Sequence, residues 1–270
     1  MLIRSMTLAD LSAGMRLSGL AGWNQTETDW ALFLREGECF AAKCEGRIVG
    51  TTGIIRYENR LAWIGLVLVD PEFRRQGIAS RLMQHALEHL CDIPCIKLDA
   101  SVDGKKVYDT LGFRDEHQIV RLTNPAVPVL EPDETVTLLT EITSILSLDT
   151  KIFDANRGPV LQEFLLASPQ TAFRSERGYC LGRPGAKQYQ IGPVIAKNTA
   201  QAQALIKSAL HPLANKPAVL DVPTCHTELL AWLESLGFAP ARVFQRMAFG
   251  KGNITEDVSQ TFAIAGPEMG

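Results

Sequence analysis

Apolar and polar positions follow strand-like and helix-like periods in turn along the first 124 residues. Leu61 to Val69 is apolar almost throughout, which predicts a strand buried on both faces. Apolar positions at helical spacing follow from Gln76 to Leu90, and Cys95 to Ala100 predicts the next strand. Because strand–helix–strand crossovers are right-handed with parallel strands, both strands end beside the loop before Gln76, where ligands bind in such folds.

Further predicted elements flank this unit and extend its sheet. Cys39–Cys44 and Ile48–Tyr57 predict a hairpin joined at Glu45-Gly46, since a tight turn needs the positive φ that glycine adopts. Gly112 is expected to end the last helix as a left-handed cap. The other predicted elements are strands over Leu2–Met6 and His117–Leu122, a helix capped by Thr7, a helix starting at Thr26 or Thr28, and a helix over Val102–Leu111. The predicted fold class is α/β, with a mixed sheet of the α+β kind.

Composition and charge narrow the class of partner. The 270 residues carry a formal charge of −3 and a pI near 6.0 without a run of Lys or Arg, so we expect no nucleic-acid or membrane partner and favour a small molecule. Six cysteines form no C-x-x-C pair, so we expect no metal site and a reducing compartment. We find neither a signal segment nor about 20 consecutive apolar residues, which predicts a cytoplasmic protein. The oligomeric state stays open.

The loop after the first buried strand has the chemistry of a phosphate cradle. It stands between a strand and a helix, an arrangement that directs free N–H groups and the positive helix end at an anion. Gly77 lets the main chain approach phosphate oxygens because it has no Cβ, and Ala79 is small for the same reason. The loop lacks the Lys-Ser/Thr of a P-loop and the three glycines of a dinucleotide fingerprint, which disfavours both enzyme classes. The predicted cradle comprises Arg74, Arg75, Gln76, Gly77, Ile78, Ala79 and Ser80.

Two motifs in the expected order resemble those of the GNAT superfamily of N-acetyltransferases. Arg74 to Ala79 matches R-x-x-G-x-A, the acetyl-CoA-binding motif, and Tyr108 to Phe113 matches the signature Tyr-x-x-Leu-Gly-Phe. The resemblance covers roughly Met1 to Leu122, while Gly22–Thr26 and Leu98–Gly104 resemble a two-domain subfamily. It implies the acyl-CoA N-acyltransferase fold of that superfamily, with acetyl-CoA as the acyl donor and no metal.

The resemblance also assigns roles to residues beyond the glycine loop. It implies that the main chain of Val67, Leu68 and Val69 contacts the pantetheine arm between two splayed strands, and that Ser101 lies near the cofactor. Tyr108 is implied as the general acid. Its ordinary pKa of about 10 keeps it protonated at neutral pH, so it can protonate a departing thiolate of pKa about 8.5.

Three residues are candidates for binding the acceptor. The first helical segments are expected to shape the acceptor pocket, where Trp23 and Asn24 are placed to stack on or hydrogen-bond the substrate. Asp99 ends its strand in the same region. Each has a structural alternative: Trp23 covering the core, Asn24 capping the following helix, and Asp99 as a capping or structural group. No residue is assigned as the general base.

Asn124 to Asp133 contains three prolines and no strong period, which indicates a linker. The predicted domains are therefore 1–124, the N-acetyltransferase domain, and 134–270. The second domain opens with helices over Val136–Leu148 and Pro159–Leu166, or its first element is a strand followed by a short helix.

A weak internal repeat follows. Its second copy has Lys197-Asn198-Thr199-Ala200 in place of the glycine loop and Leu233 in place of Tyr108, which predicts a smaller, degenerate GNAT-like domain. The alternative is an unrelated αβ domain that contains Leu-Gly-Phe by chance. The repeated elements are the strand Gly192–Ala196, the helix Thr199–Leu210, the strand Ala218–Asp221, and the helix Leu230–Leu236 followed by Gly237-Phe238.

These observations predict an acetyl-CoA-dependent N-acetyltransferase that acts on the primary amine of a small molecule by direct attack in a ternary complex. Covalent catalysis is disfavoured because no cysteine stands beside a base in a recognisable pattern. The alternatives are an acyl-CoA sensor or interaction module without catalysis, and an acetyltransferase for protein or peptide amines. Tyr108 favours an enzyme, since a binding module has no need of a proton donor.

Overall fold

The computed structural model describes residues 1–252 and 254–270, in which thirteen strands form one mixed sheet with eight α-helices on its faces. The strands are β1 Leu2–Ser5, β2 Gly37–Cys44, β3 Arg47–Tyr57, β4 Leu61–Val69, β5 Cys95–Ala100, β6 Arg114–Asn124, β7 Thr137–Leu138, β8 Phe173–Ser175, β9 Gly178–Arg183, β10 Tyr189–Ile195, β11 Ala218–Pro223, β12 Ala239–Gly250 and β13 Thr261–Ala263. The helices are α1 Leu11–Ala21, α2 Glu27–Glu36, α3 Ile78–His89, α4 Val102–Thr110, α5 Thr143–Phe153, α6 Gly158–Ala167, α7 Thr199–Leu210 and α8 Thr227–Ser235.

Most elements of the first 124 residues lie where their periodicity predicts them. β4 and β5 have the predicted bounds, and α2 begins after Thr26, which closes a capping box with Asp29. The second half opens with the short strand β7 and then α5, so the strand-plus-helix alternative is the observed one. The strands β8, β9, β12 and β13 were not predicted.

The two halves of the chain exchange their last long strands. Along the sheet, the order is β1-β2-β3-β4-β5-β12-β6-β11-β10-β9-β8-β7, with β13 paired to β10. β12 therefore lies between β5 and β6, while β6 lies between β12 and β11. The domain bounds 1–124 and 134–270 stay a prediction, and each half of the sheet contains a strand from the other segment.

Two buried ion pairs fasten the exchanged strands. Asp99 on β5 lies directly opposite Arg246 on β12, and Asp221 on β11 lies directly opposite Arg121 on β6. The guanidinium of Arg246 donates to both oxygens of Asp99 at 2.9 and 2.8 Å, and that of Arg121 donates to both oxygens of Asp221 at 2.7 Å. Each pair joins one half of the chain to the other through the bidentate geometry that makes such bonds strong.

The predicted internal repeat is confirmed at the Leu-Gly-Phe sequence that ends a helix in each half. Gly112 and Gly237 both have left-handed φ values, 91° and 88°, at the ends of α4 and α8. The N–H of Phe113 donates to the carbonyl of Tyr108 at 3.1 Å, and the N–H of Phe238 donates to that of Leu233 at 3.1 Å. This repeated helix ending follows from the Leu-Gly-Phe sequence in both halves.

Candidate functional site

The parallel strands β4 and β5 separate part-way along their length. They pair only from Leu61 opposite Cys95 to Trp63 opposite Lys97. Beyond that point β4 contains a bulge against β3, where Leu66 has φ +51° and its carbonyl accepts from Thr51 Oγ1 at 2.9 Å. The separation leaves main-chain groups of both strands unpaired with each other, as a ligand lying between the strands requires.

The glycine loop joins this opening to the start of α3. Gly77 is the N-cap of α3 with φ +73°, and no side chain caps its helix N-terminus. An added Cβ at Gly77 would meet no atom within 4 Å, so the space on the Cβ side of this residue is open. Arg74, Arg75 and Gln76 are exposed beside it. Free N–H donors, a positive helix end and two nearby guanidinium groups fit a pyrophosphate.

Asp70 fixes the position of this loop, a role that the sequence did not single out. Its carboxylate accepts from Arg16 at 2.7 Å and from Arg47 at 2.8 Å, and it also accepts from the main-chain N–H of Glu72 at 3.2 Å. Asp70 stands at the junction of β4 and the loop, where Val-Asp-Pro was the available signal. These hydrogen bonds hold the start of the loop in place. Neither Arg74 nor Arg75 takes part in them.

The other predicted cofactor residues line the same end of the sheet. Val67 and Val69 pack against the cluster under α3, and Leu68 lies on the opposite face of β4. Ser101 is the N-cap of α4, and its hydroxyl accepts from the N–H of Gly104 at 3.2 Å. Ile78, Ala79 and Ser80 form the first turn of α3. Their contacts with a cofactor stay a prediction.

Tyr108 lies on α4 and is 8% exposed. It belongs to the buried cluster that also contains Ile78 at the start of α3 and Ala100 at the end of β5. Burial raises the pKa of Tyr108 above its ordinary value, so the phenol is protonated at neutral pH. Gly104 makes room for it, because a Cβ there would lie 3.0 Å from the Tyr108 ring. The arrangement suits a proton donor beside the opening between β4 and β5.

The predicted acceptor residues have structural partners that the sequence did not indicate. Asn24 is buried and its amide makes three hydrogen bonds to the second half. Nδ2 donates to Gln188 O at 2.9 Å, and Oδ1 accepts from the N–H groups of Lys187 and Gln188 at 2.9 and 3.1 Å. Asp99 is fully buried against Arg246. Trp23 is half-buried against the core under α1 and α2. Asn24 and Asp99 therefore join the two halves, and acceptor binding by these three residues stays a prediction.

The chain itself fills the corresponding opening in the second half. β10 and β11 pair only from Tyr189 opposite Ala218 to Ile191 opposite Leu220. β13 then enters beside β10, and the N–H of Ile264 donates to the carbonyl of Asp221 on β11 at 3.0 Å. A Cβ at Gly192 would lie 2.0 Å from the carbonyl oxygen of Ile264. No space is left between β10 and β11 for a ligand of pantetheine width.

The residues after β13, which we call the tail segment (Ile264–Gly270), cross to the first half and lie against β4. Trp63 Nε1 donates to Pro267 O at 3.1 Å, and Tyr57 Oη donates to Met269 O at 2.7 Å. A Cβ at Gly65 would lie 2.6 Å from Glu268 O. The tail segment thus covers β4 where that strand begins to leave β5.

Comparisons with known proteins agree with this geometry. A profile described as "Acetyltransferase (GNAT) family" matches residues 9–113, and one described as "Acetyltransferase (GNAT) domain" matches residues 145–263. The chain is a tandem GNAT acetyltransferase. It is 26% identical over 239 residues to "Uncharacterized N-acetyltransferase YitH" of Bacillus subtilis (strain 168), covering 84% of each chain. The alternative of an unrelated second domain is therefore wrong.

Solved structures show the same fold. A Pyrococcus horikoshii protein, named as a candidate acetyltransferase, superposes with a TM-score of 0.87 at 23% identity, over 100% of this chain and 95% of that one. A tandem GNAT protein from the clavulanic acid biosynthesis pathway has a TM-score of 0.61 at 13% identity, over 93% and 99%.

Residues 1–252 and 254–270 contain neither a metal-ligating cluster nor a helix able to span a membrane. No group of three His, Cys, Asp or Glu side chains in these ranges is placed to hold a metal ion. None of the helices described is both long and apolar enough to span a bilayer.

Proposed function

We propose that this GNAT protein is an acetyl-CoA-dependent N-acetyltransferase that acetylates the primary amine of a small molecule. The observation that carries the proposal is the open N-terminus of α3 at Gly77, next to the separated ends of β4 and β5 and to the buried phenol of Tyr108. The YitH relative, itself named an N-acetyltransferase, supports the reaction class. All six cysteines are free thiols, which fits the reducing conditions of a cytoplasm.

Each part of the acetyl donor has a matching set of groups. The N–H groups of Gly77, Ile78 and Ala79 would bind the pyrophosphate, with Arg74 and Arg75 adding charge. Main-chain groups of β4 near Val67–Val69 would pair with the amide groups of the pantetheine arm. The donor supplies an activated thioester, and these contacts would fix it beside Tyr108.

In the proposed reaction, the side chain of Tyr108 contributes one proton transfer. The neutral amine attacks the thioester carbonyl, so the new C–N bond forms and the C–S bond breaks. The proton that the amine nitrogen gives up passes to water, and water restores the proton that Tyr108 donates. The Tyr108 hydroxyl donates its proton to the departing thiolate. The raised pKa of the buried phenol keeps it protonated at neutral pH, so its proton is present when the thiolate develops next to it.

The acceptor side favours a small molecule over a protein amine. The tail segment lies on β4, and the connection between α1 and α2 is bound to residues 186–188 of the second half. These two segments enclose the side of the sheet opposite α3. A protein N-terminus would need a wider passage between these two segments than a small amine does.

Replacing Tyr108 by Phe is expected to lower kcat by about 10²-fold or more, because removal of a general acid has that effect. The KM for acetyl-CoA should stay within about twofold, since the phenol is not among the groups proposed to bind the donor. The measurement is thiol release from acetyl-CoA with a panel of small primary amines. Tyr189→Phe is the matched control and should behave as the wild type. An unchanged kcat in Tyr108→Phe would remove the tyrosine from the mechanism.

One CoA per chain is expected at saturation, although the fold occurs twice. The opening between β10 and β11 is filled by β13, and the second half lacks a glycine loop, so the first half would hold the cofactor alone. Isothermal titration calorimetry with CoA measures the stoichiometry directly. Gly77→Val should abolish the single event, because a β-branched residue is strongly disfavoured at φ +73° and its side chain would project into the cradle. A second binding event per chain would contradict this expectation.

A further inference from the structure

Two buried side chains at the junction of the halves have polar atoms with no hydrogen-bond partner among the described residues. They are Gln25 Oε1, an acceptor, and Arg183 Nε, a donor. Gln25 is 6% exposed and Arg183 is 4% exposed, so bulk water does not reach these atoms freely. Buried polar groups in folded proteins are nearly always bonded, and an exception costs stability unless a ligand or an ordered water completes it.

The two residues lie at the same junction between the halves. Arg183 ends β9, and the loop that follows it is bound by Asn24, which precedes Gln25. Four residues after Gln25, the carboxylate of Asp29 accepts from Arg183 Nη1 at 2.5 Å. The chain on both sides of Gln25 is therefore held against the β9–β10 connection, and Gln25 lies where that connection meets the loop between α1 and α2.

Two carboxylates hold the Arg183 guanidinium at this junction. Arg183 is bound by two carboxylates, Asp29 through Nη1 and Glu268 through Nη2, each at 2.5 Å. All three side chains are at most 5% exposed. Arg183 still has its Nε–H free to donate.

Glu268 links this junction to the acyl-transfer site. Its main chain lies against Gly65 of β4, two residues beyond the last position at which β4 pairs with β5. The same residue binds Arg183 through its side chain. Glu268 therefore contacts both Arg183 and the strand that carries the proposed donor site.

We propose that Gln25 and Arg183 form a subsite for a hydroxyl-bearing part of the acceptor, so that the acceptor class is amino alcohols, including amino sugars. A hydroxyl has both a proton for Gln25 Oε1 and a lone pair for Arg183 Nε–H, whether one hydroxyl or two adjacent ones fill the subsite. This inference rests on the proposed function for its substrate, and on the two unpartnered atoms for its location.

The test compares 2-aminobutan-1-ol with 2-aminobutane, which share a carbon skeleton and differ by the hydroxyl group. The first measurement is the unfolding midpoint of the full-length protein with saturating CoA and each amine. The second is kcat/KM for each amine. We expect the amino alcohol to raise the midpoint more and to react about tenfold faster, as one hydrogen bond predicts. Equal midpoints with the two amines would overturn the subsite and would indicate an ordered water there.

Gln25→Met replaces the amide by an apolar side chain of similar size. Because Gln25 Oε1 has no partner, the variant without ligand should unfold about 2 °C or more above the wild type, and the hydroxyl preference should fall to near one. Gln118→Met, on the exposed side of β6, is the matched control and should change neither value. A lower midpoint, or a retained preference, in Gln25→Met would contradict the proposal.

The two measurements separate the subsite from the function. If the wild type acetylates both amines equally, the proposed function stands and the subsite is wrong. If neither amine is acetylated but the amino alcohol alone raises the midpoint, the subsite stands and the proposed reaction with small amines is wrong.

Discussion

A fragment that ends at residue 129 is expected to be unfolded in isolation. In this fragment β5 would lose β12, and β6 would lose both of its neighbours, β12 and β11. Asp99 and Arg121 would each lose their buried partner, and uncompensated buried charges are strongly destabilising. The dispersion of amide signals in a proton–nitrogen NMR spectrum tests this directly. A dispersed spectrum and a cooperative unfolding transition for residues 1–129 would contradict it.

Cleavage of the folded, full-length protein after residue 129 provides the control. Val129 is 71% exposed in the connection between the halves, so a protease site inserted there can be cleaved after folding. We expect the two pieces to remain associated with an unchanged spectrum, because β12 and β6 still lie across the junction. Dissociation of the pieces under native conditions would show that the strand exchange contributes little stability.

The second large effect is expected at Arg246. Its guanidinium donates to both oxygens of Asp99 and also to Glu256, with all three side chains at most 5% exposed, and it lies 4.5 Å from the Trp63 ring. Replacing Arg246 by Met removes the only cation of this trio and should lower the free energy of unfolding by about 3–5 kcal/mol. Urea denaturation measures the loss. Arg60→Met, which breaks the exposed pair with Asp154, is the control and should cost less than about 1 kcal/mol.

The pH dependence identifies the cause of this loss. Burial raises the pKa of Asp99 to about 6, although Arg246 opposes the shift, and removal of Arg246 would raise it further. A carboxyl whose pKa is higher in the folded than in the unfolded state stabilises the protein at low pH, and that stabilisation is lost as pH rises through the folded pKa. The deficit of Arg246→Met should therefore be smaller at pH 5 than at pH 8. An equal deficit at both values would indicate lost packing instead.

The sequence allowed the region around the glycine loop to be predicted because its signals are local. An unbroken apolar run fixes β4, helical spacing fixes α3, and the positive φ of Gly77 follows from the motif. The exchanged strand β12 could not be predicted, because its pairing with β5 depends on contacts with residues far away in the chain. For the same reason Asn24 and Asp99 were predicted as acceptor ligands, whereas their observed partners, Lys187 and Arg246, lie in the other half. β13 has three residues, too few for a periodic signal.

The exchange of β6 and β12 has a consequence for how such a duplicated chain can change over generations. β12 of the second half lies between β5 and β6, so deletion of the second half would remove a central strand from the half that contains the proposed donor site. Mutations that remove ligand contacts within the second half would leave β12 in place. The space between β10 and β11 can then be occupied by β13, as observed. A second half of this kind can lose its ligand site, but its deletion would unfold the first half.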